Sequence, residues 1–172
     1  MSASSSEAEE LASIGANFVI CLNNTVHTAF DKAIGLSPIP WLYTAEEVAR
    51  EARRRGFKKL AILGTKFLME SNVYPSRLST YGIEWAIPKS GEREIVNKII
   101  FEELVYGVVK KESQLKLVEI IKRMAREEGC DAVVLGCTEL PLILDDTVSP
   151  IPTLDSTRIL ARAPLRKTIG LE

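Results

Sequence analysis

Short, mostly apolar runs alternate with longer amphipathic stretches along this chain. The apolar runs are four or five residues long and lie at 18–22, 40–43, 60–63, 83–86, 132–135 and 151–154. Runs of this length without regular polar alternation are typical of strands that are buried on both faces, as parallel sheets require. We therefore predict one strand in each run.

The stretches between these runs have helical periodicity, with apolar residues every three or four positions in 92–106 and 112–128. Further helices are predicted at 7–14, 25–33 and 44–55, from Lys66, and from Asp155 or Ser156 onward. Thr44, with Glu47 three residues later, has the spacing of a capping box. Pro164 is predicted to end or kink the last helix. Strands that alternate with helices predict an α/β fold with a parallel sheet.

The chain also repeats itself. Residues 15–25 align with residues 129–139, which lie 114 positions later. The motif Ser37-Pro38-Ile39-Pro40 begins a stretch that is matched from Ser149-Pro150-Ile151-Pro152, 112 positions later. This nearly constant offset indicates a duplicated unit, and it predicts a site with two facing halves.

Three polar turns follow predicted strands: Asn23-Asn24-Thr25, Gly64-Thr65 and Cys137-Thr138-Glu139. In open parallel sheets, ligands bind beyond the carboxyl ends of the strands. Each turn also precedes a predicted helix, whose first backbone N–H groups favour a carboxylate. The turns therefore predict a site for a small, amphipathic acid.

Cys137 is the candidate for chemistry at these turns. A thiolate at a helix N-terminus has a lowered pKa and can act as a nucleophile or base. The alternative is that Cys137 is a small buried residue, since free cysteines are often buried. Cys130 and Cys21 are better explained by packing.

Two further residues have open roles. His27 is the only histidine, and it is a candidate acid or base, a cap or a packing residue. Glu139 can accept protons or bind Thr25 or a substrate ammonium, and it can equally be an ordinary solvated or capping carboxylate.

Composition excludes several classes of function. The chain has 172 residues and a net charge of −1, with basic and acidic residues interleaved, so neither nucleic acid nor a membrane surface is an expected partner. No apolar run approaches the roughly 18 residues of a membrane helix, and the N-terminus has no basic-then-apolar signal. Three cysteines without a CxxC motif argue against disulfides or zinc and fit a reducing cytosol. We therefore predict a cytoplasmic location.

The motif Gly136-Cys137-Thr138-Glu139-Leu140-Pro141 resembles the second cysteine motif of the aspartate/glutamate racemase superfamily. Segments 64–71 and 97–104 resemble its aspartate and broad-specificity branch, and the likeness extends from about Leu11 onward. The resemblance implies two similar α/β lobes with the active site between them, and catalysis without PLP or metal. Its lobes would comprise residues 1–42 plus 145–172, and residues 43–144.

The resemblance also implies roles for individual residues. Such enzymes hold a small amino acid or dicarboxylate between two cysteines, so that one thiolate removes the α-proton and the other thiol returns a proton from the opposite face. By position, Cys137 is one base, and the residues that hold the substrate are Asn24, Thr25, Thr65, Thr138 and Glu139. Asn23 stands where the first cysteine is expected, and its amide is not a base at neutral pH, so proton transfer would be slow or one-sided.

A second departure concerns the first lobe. The strand and turn at 60–65 would have a repeat partner upstream of Met1, so the first lobe is expected to lack its first strand–helix unit. Either an upstream start exists or the protein is shortened. The apolar surface left uncovered would favour a homodimer.

Three functions remain open from the sequence. The first is a cofactor-independent racemase for aspartate, glutamate or a similar amino acid. The second is a single-cysteine decarboxylase or lyase. The third is a non-catalytic protein that binds a small acid or a partner chain, which the substitution at Asn23 would favour.

Overall fold

The computed structural model describes residues 3–29 and 37–170. Seven α-helices follow one another in these residues: α1 (Ala3–Ser13), α2 (Thr44–Arg54), α3 (Lys66–Met69), α4 (Val73–Thr80), α5 (Ser90–Glu102), α6 (Lys111–Glu128) and α7 (Ser156–Thr168). Short 3-10 turns lie at Thr25–Ala29, Leu104–Tyr106 and Leu140–Leu142. Among the described helices, none is both long and apolar enough to cross a bilayer.

The strands form two parallel sheets, which confirms the predicted α/β class. They are β1 (Val19–Ile20), β2 (Trp41–Leu42), β3 (Lys59–Leu63), β4 (Glu84–Ala86), β5 (Ala132–Leu135) and β6 (Thr153–Asp155). Strands β1 and β2 pair with each other, and the larger sheet has the order β4-β3-β5-β6. Each strand lies within two residues of its predicted position.

The two central strands of the larger sheet, β3 and β5, are buried on both faces, and their successive side chains point to opposite sides. Ala61 and Leu63 belong to the apolar cluster that includes α5 and α6, whereas Leu60 and Ile62 belong to the cluster on the opposite face. Strand β5 alternates in the same way. This two-sided burial explains why the strands appear in the sequence as continuous apolar runs.

The sequence repeat is present in the structure as repeated hydrogen bonds. Three bonds in the β1–β2 unit have counterparts in the β5–β6 unit, 112 to 114 positions later. The pairs are Val19 N to Pro40 O (2.9 Å) with Val133 N to Pro152 O (2.9 Å), Ser37 Oγ to Ile39 O (2.7 Å) with Ser149 Oγ to Ile151 O (2.6 Å), and Thr44 Oγ1 to Cys21 O (3.4 Å) with Ser156 Oγ to Leu135 O (2.7 Å). The duplication therefore preserves local geometry as well as sequence.

Each of the helices that follow the two repeated units packs on the sheet of the other unit. Val48 and Ala49 of α2, which follows β2, pack in a core cluster of the larger sheet. Leu160 and Ala163 of α7, which follows β6, pack with Leu42 of the smaller sheet. Each helix therefore ties its own sheet to the other one.

Strand β6 departs from the predicted division of the chain. Residues 145–172 were expected in the first lobe, but residues 153–155 form β6 and pair with Val133–Leu135 of β5. Backbone pairing therefore places these three residues in the sheet of the second lobe. The rest of the division, at 42/43 and 144/145, stays a prediction.

Two predictions about helix ends are wrong. Thr44 lies inside α2 rather than capping it, and its hydroxyl contacts Nε2 of His27 at 3.0 Å. The carboxylate of Glu47 pairs with Arg50 and Arg166 instead of closing a capping box. Pro164, predicted to end or kink α7, does not end this helix, which continues to Thr168. A kink at Pro164 stays a prediction.

The helix predicted at 25–33 begins as a 3-10 turn, Thr25–Ala29. The remainder of that prediction, residues 30–33, lies outside the described residues.

Two glycines let the ends of β3 and β5 approach closely. The backbone N–H of Gly136 donates to the carbonyl oxygen of Leu63 at 2.7 Å. A Cβ on Gly136 would lie 2.8 Å from that oxygen and 2.6 Å from Cδ2 of Leu68, and a Cβ on Gly64 would lie 2.7 Å from the same methyl group. A side chain on Gly136 would meet backbone that cannot move easily, so this glycine holds the turns after β3 and β5 side by side.

Replacing Gly136 by alanine should therefore destabilise the protein. The new methyl group would force apart backbone atoms that cannot yield easily, so we expect the free energy of unfolding to fall by about 1–3 kcal/mol. Gly91→Ala is the matched control, because a Cβ at this position in α5 meets nothing within 4 Å. Urea unfolding of both variants measures the difference, and equal stabilities would contradict the packing argument.

Candidate active site

The three polar turns meet at a single cavity of about 490 Å³. It lies at the carboxyl ends of β1, β3 and β5. The seven residues named as site candidates from the sequence all line this cavity: Asn23, Asn24, Thr25, Thr65, Cys137, Thr138 and Glu139. The size is within the roughly 300–1,000 Å³ range of small-molecule sites.

Cys137 and Glu139 form the only thiol–carboxylate pair among the described residues that line this cavity. The Sγ–H of Cys137 donates to Oε2 of Glu139 at 2.7 Å. Both side chains come from the short segment after β5, and Gly136 before them leaves room for the turn. The arrangement places a proton acceptor directly on the thiol.

The thiol of Cys137 is held in its neutral form. Burial, together with the hydrogen bond to the Glu139 carboxylate, raises its pKa to about 12. The prediction of a lowered pKa is therefore wrong. The segment that follows is a three-residue 3-10 turn, Leu140–Leu142, rather than an α-helix, so little helix dipole is available to stabilise a thiolate.

Glu139 is the anionic partner. Burial by itself would raise the pKa of its carboxyl group, but hydrogen bonds from Cys137 and Thr138 hold that pKa below its ordinary value. The carboxylate is therefore ionised at neutral pH. It is half-buried at the cavity wall and can accept a further hydrogen bond from a bound molecule.

Two threonines join the turns across the cavity. The hydroxyl oxygens of Thr25 and Thr65 lie 3.3 Å apart. Thr65 also caps α3, because its hydroxyl oxygen accepts the backbone N–H of Leu68 at 3.2 Å. This pair joins the turn after β1 to the turn after β3, so residues from both sheets border one space.

Asn24 is held in a buried network. Its side chain is 3% exposed, its Nδ2 donates to Oγ of Ser156 at 3.0 Å, and its Oδ1 accepts the hydroxyl of Tyr74 at 2.6 Å. Ser156 in turn donates to the carbonyl oxygen of Leu135. The amide expected to hold a substrate carboxylate therefore fastens the first turn to the second sheet.

Asn23 shapes its own turn. Its Oδ1 accepts the backbone N–H groups of Thr25 at 3.0 Å and Val26 at 3.3 Å, which caps the 3-10 turn. The side chain is exposed at the cavity, as expected for the residue that stands where a cysteine was anticipated. Its amide supplies hydrogen bonds there but no base.

The remaining sequence candidates lie away from the cavity lining. His27 is buried, with Nε2 2.9 Å from the carbonyl oxygen of Cys21, and burial lowers its pKa. Cys130 belongs to the core, where burial raises its pKa to about 11. In the part of the chain that the structure describes, no three His, Cys, Asp or Glu side chains converge as metal ligands would.

Sequence reasoning missed an apolar wall of the cavity. Five apolar side chains form it: Leu22, Phe67, Ile100, Phe101 and Val105. Phe67 follows Thr65 by two positions, Phe101 lies in the last turn of α5, and Val105 lies in the 3-10 turn that follows this helix. Large apolar residues beside a polar turn and outside the buried stripe are the signal that could have found this wall.

The fold agrees with known structures. The structure of a candidate Asp/Glu racemase from Yersinia pestis is 31% identical, with a TM-score of 0.90 over 97% of this chain and 73% of that one. An aspartate racemase homologue from Pyrococcus horikoshii OT3 is 34% identical, with a TM-score of 0.84 over 96% of this chain and 71% of that one.

The family follows from the sequence match. The Asp/Glu/hydantoin racemase family matches residues 3–163, and the chain belongs to it. The broad specificity amino-acid racemase RacX of Bacillus subtilis (strain 168) is 27% identical over 159 residues, which are 91% of this chain. The chain spans 66% of the length of RacX.

Removing the Asn24 side chain should destabilise the protein. In Asn24→Ala, the buried hydroxyl groups of Tyr74 and Ser156 each lose a partner, so we expect the free energy of unfolding to fall by about 1–3 kcal/mol. In the control Asn23→Asp, the oxygen that caps the neighbouring turn is retained, and stability should change little. Thermal unfolding of both variants tests this prediction. If Asn24→Ala were as stable as the parent protein, the structural role of the network would be refuted.

Alkylation should reveal the neutral thiol. Because only the thiolate reacts, the iodoacetamide rate at Cys137 should be low at about pH 8 and rise about tenfold per pH unit towards pH 12. In Glu139→Gln the negative charge that opposes ionisation is absent, so the thiol pKa should fall by at least about one unit and the rate should rise at least about tenfold.

Peptide-resolved mass spectrometry separates Cys137 from Cys21 and Cys130 in this experiment. Cys21 alkylation in the same samples is the internal control, and it should be the same in Glu139→Gln as in the parent. If the alkylation rate at Cys137 were the same in Glu139→Gln as in the parent, the carboxylate would not control the pKa of the thiol.

Proposed function

We propose that this protein is an amino-acid racemase that moves the Cα proton through Cys137. The observation that carries the proposal is the Cys137–Glu139 hydrogen bond at a cavity bordered by three threonine hydroxyls. Membership in the Asp/Glu/hydantoin racemase family supports it. Aspartate and glutamate, which the family description contains, are the first substrates to test.

The proton path begins at the carboxylate. Glu139 accepts the proton of the Cys137 thiol, and the resulting thiolate removes the hydrogen on Cα as a proton. The carbon is left as a carbanion that is delocalised into the substrate carboxylate. If the thiol returns a proton to the same face, the original hand is restored. If water protonates the opposite face, the hand inverts, and Glu139 returns its proton to the hydroxide that forms.

The substrate itself helps to form the thiolate. A thiol with a pKa of about 12 is almost entirely protonated near neutral pH. The ammonium group of an amino acid placed beside Glu139 would offset the carboxylate charge, and a nearby cation favours the ionised thiol. In this proposal the thiol is therefore activated only when an amino acid is bound.

The threonines supply the second requirement. Negative charge develops on the substrate carboxylate as the proton leaves, and hydroxyl donors aimed at that charge lower the barrier. Thr25 and Thr65 border the cavity from different sheets, and Thr138 borders it next to the thiol. We assign the α-carboxylate to these hydroxyl groups and leave Asn24 in its buried structural role.

The face opposite the thiol sets the expected balance of products. Asn23 offers an amide there, so inversion depends on a proton from water. We therefore expect isotope exchange at Cα to be faster than net inversion.

Assembly and location are also part of the proposal. Exposed apolar side chains at Tyr106, Val109 and Leu142 offer a surface for a second copy of the chain, which supports the homodimer. We propose a cytoplasmic location on the cysteine pattern of the sequence alone.

Hydrogen exchange in deuterated water tests the reaction. The protein is incubated with L-aspartate, L-glutamate, L-leucine or L-phenylalanine, the Cα proton is followed by NMR, and the two hands are separated by chiral chromatography. We expect deuterium to enter Cα of at least one amino acid, and Cys137→Ser to lower that rate by at least about 100-fold.

Cys21→Ser is the matched control, since the Cys21 side chain does not line the cavity, and it should retain the exchange rate. Absence of exchange with every amino acid would refute the racemase proposal. Exchange that survives Cys137→Ser would refute the role of this thiol.

A further inference from the structure

The described lining of the cavity carries negative charge without a matching cation. Among the described residues that line it, Glu139 is the one that is ionised at neutral pH, and none is Lys, Arg or His. A second carboxylate on a substrate would lie in the same small space as Glu139. Like charges at such distances repel, and the protein interior screens them poorly.

Two basic residues that follow segments of the described lining are paired with acids. Lys66, which follows Thr65, forms an ion pair with Glu94. Lys110, beyond the 3-10 turn that carries Val105, pairs with Glu103. These ammonium groups already have carboxylate partners, so neither is placed as a counter-ion for a substrate side chain.

Another part of the lining offers apolar surface that the described residues leave exposed. Phe67 is 73% exposed, Phe101 is 47% exposed and Val105 is 51% exposed. All three face the cavity, together with the buried Ile100. Large apolar groups left open at a concave site gain free energy when a ligand covers them.

We infer that the cavity selects an amino acid with an apolar side chain, such as leucine or phenylalanine, over aspartate and glutamate. The chemistry in this inference rests on the proposed racemase function. The specificity rests on the charge of Glu139 and on the exposed apolar surface of the cavity. The α-ammonium pairs with Glu139, the α-carboxylate reaches the threonine hydroxyls, and the side chain lies on Phe67, Phe101 and Val105.

Binding and exchange are measured separately so that specificity and catalysis are tested independently. Isothermal titration of the whole chain with L-phenylalanine, L-leucine, L-aspartate, L-glutamate and L-lysine gives dissociation constants at about pH 7.5. We expect those of phenylalanine and leucine to be at least about tenfold lower than those of aspartate and glutamate.

A charge introduced into the wall should change this preference. Val105→Arg places a cation where the apolar side chain is expected, so the ratio of aspartate to phenylalanine affinity should rise at least about tenfold. Leu115→Arg is the matched control, because Leu115 on α6 is 53% exposed and lies outside the cavity lining. In Leu115→Arg, the ratio of aspartate to phenylalanine affinity should equal that of the parent protein.

The outcomes distinguish the two proposals. Preferential binding of apolar amino acids without isotope exchange would support this inference and refute the racemase. Exchange with equal or tighter binding of aspartate would support the racemase and overturn this inference. Tightest binding of lysine would assign Glu139 to the substrate side chain and also overturn it, and no binding of any amino acid would overturn both.

Discussion

The site depends on the close approach of two strand ends. The hydrogen bond from Gly136 to Leu63, and the absence of a side chain on Gly64 and Gly136, bring the turns after β3 and β5 together. Thr65 and Cys137 each follow one of these glycines. Because the backbones are in contact, residues separated by more than 70 positions in sequence border the same small space. A side chain on Gly136 would push these backbones apart.

The duplicated unit explains how the third turn joins the other two. Asn24 follows β1, and its amide is fixed by Tyr74 and Ser156, which belong to elements associated with the larger sheet. The exchange of α2 and α7 between the sheets reinforces this connection, since each helix packs on the sheet that it does not follow. The cavity between the repeats is therefore a consequence of how the two units are fastened together.

The chemistry of the site is that of a neutral thiol beside an anion. Activated cysteines usually have cationic neighbours or a helix N-terminus, which favour the thiolate. Cys137 has a carboxylate and a short 3-10 turn instead, and its pKa is raised. Such a thiol is protonated in the free protein at neutral pH, and the proposed activation depends on a cationic group that a ligand brings. The apolar wall that contains Phe67 and Phe101 is a second feature of the site, and a bound ligand can cover it.

Much of this protein follows from local sequence. Apolar runs predict strands because two-sided burial demands them. Polar turns after those runs predict seven of the residues that line the cavity, since parallel strands end at a common edge. The sequence could not place the Thr44 hydroxyl on His27, the Asn24 amide in a buried network, or the Glu139 carboxylate on the thiol of Cys137. The contacts of Thr44 and Asn24 join segments that are distant in sequence, whereas the contact between Cys137 and Glu139 depends on how one short turn is folded and buried. Only tertiary structure decides which partner a hydrogen-bonding group meets and how deeply a thiol is buried.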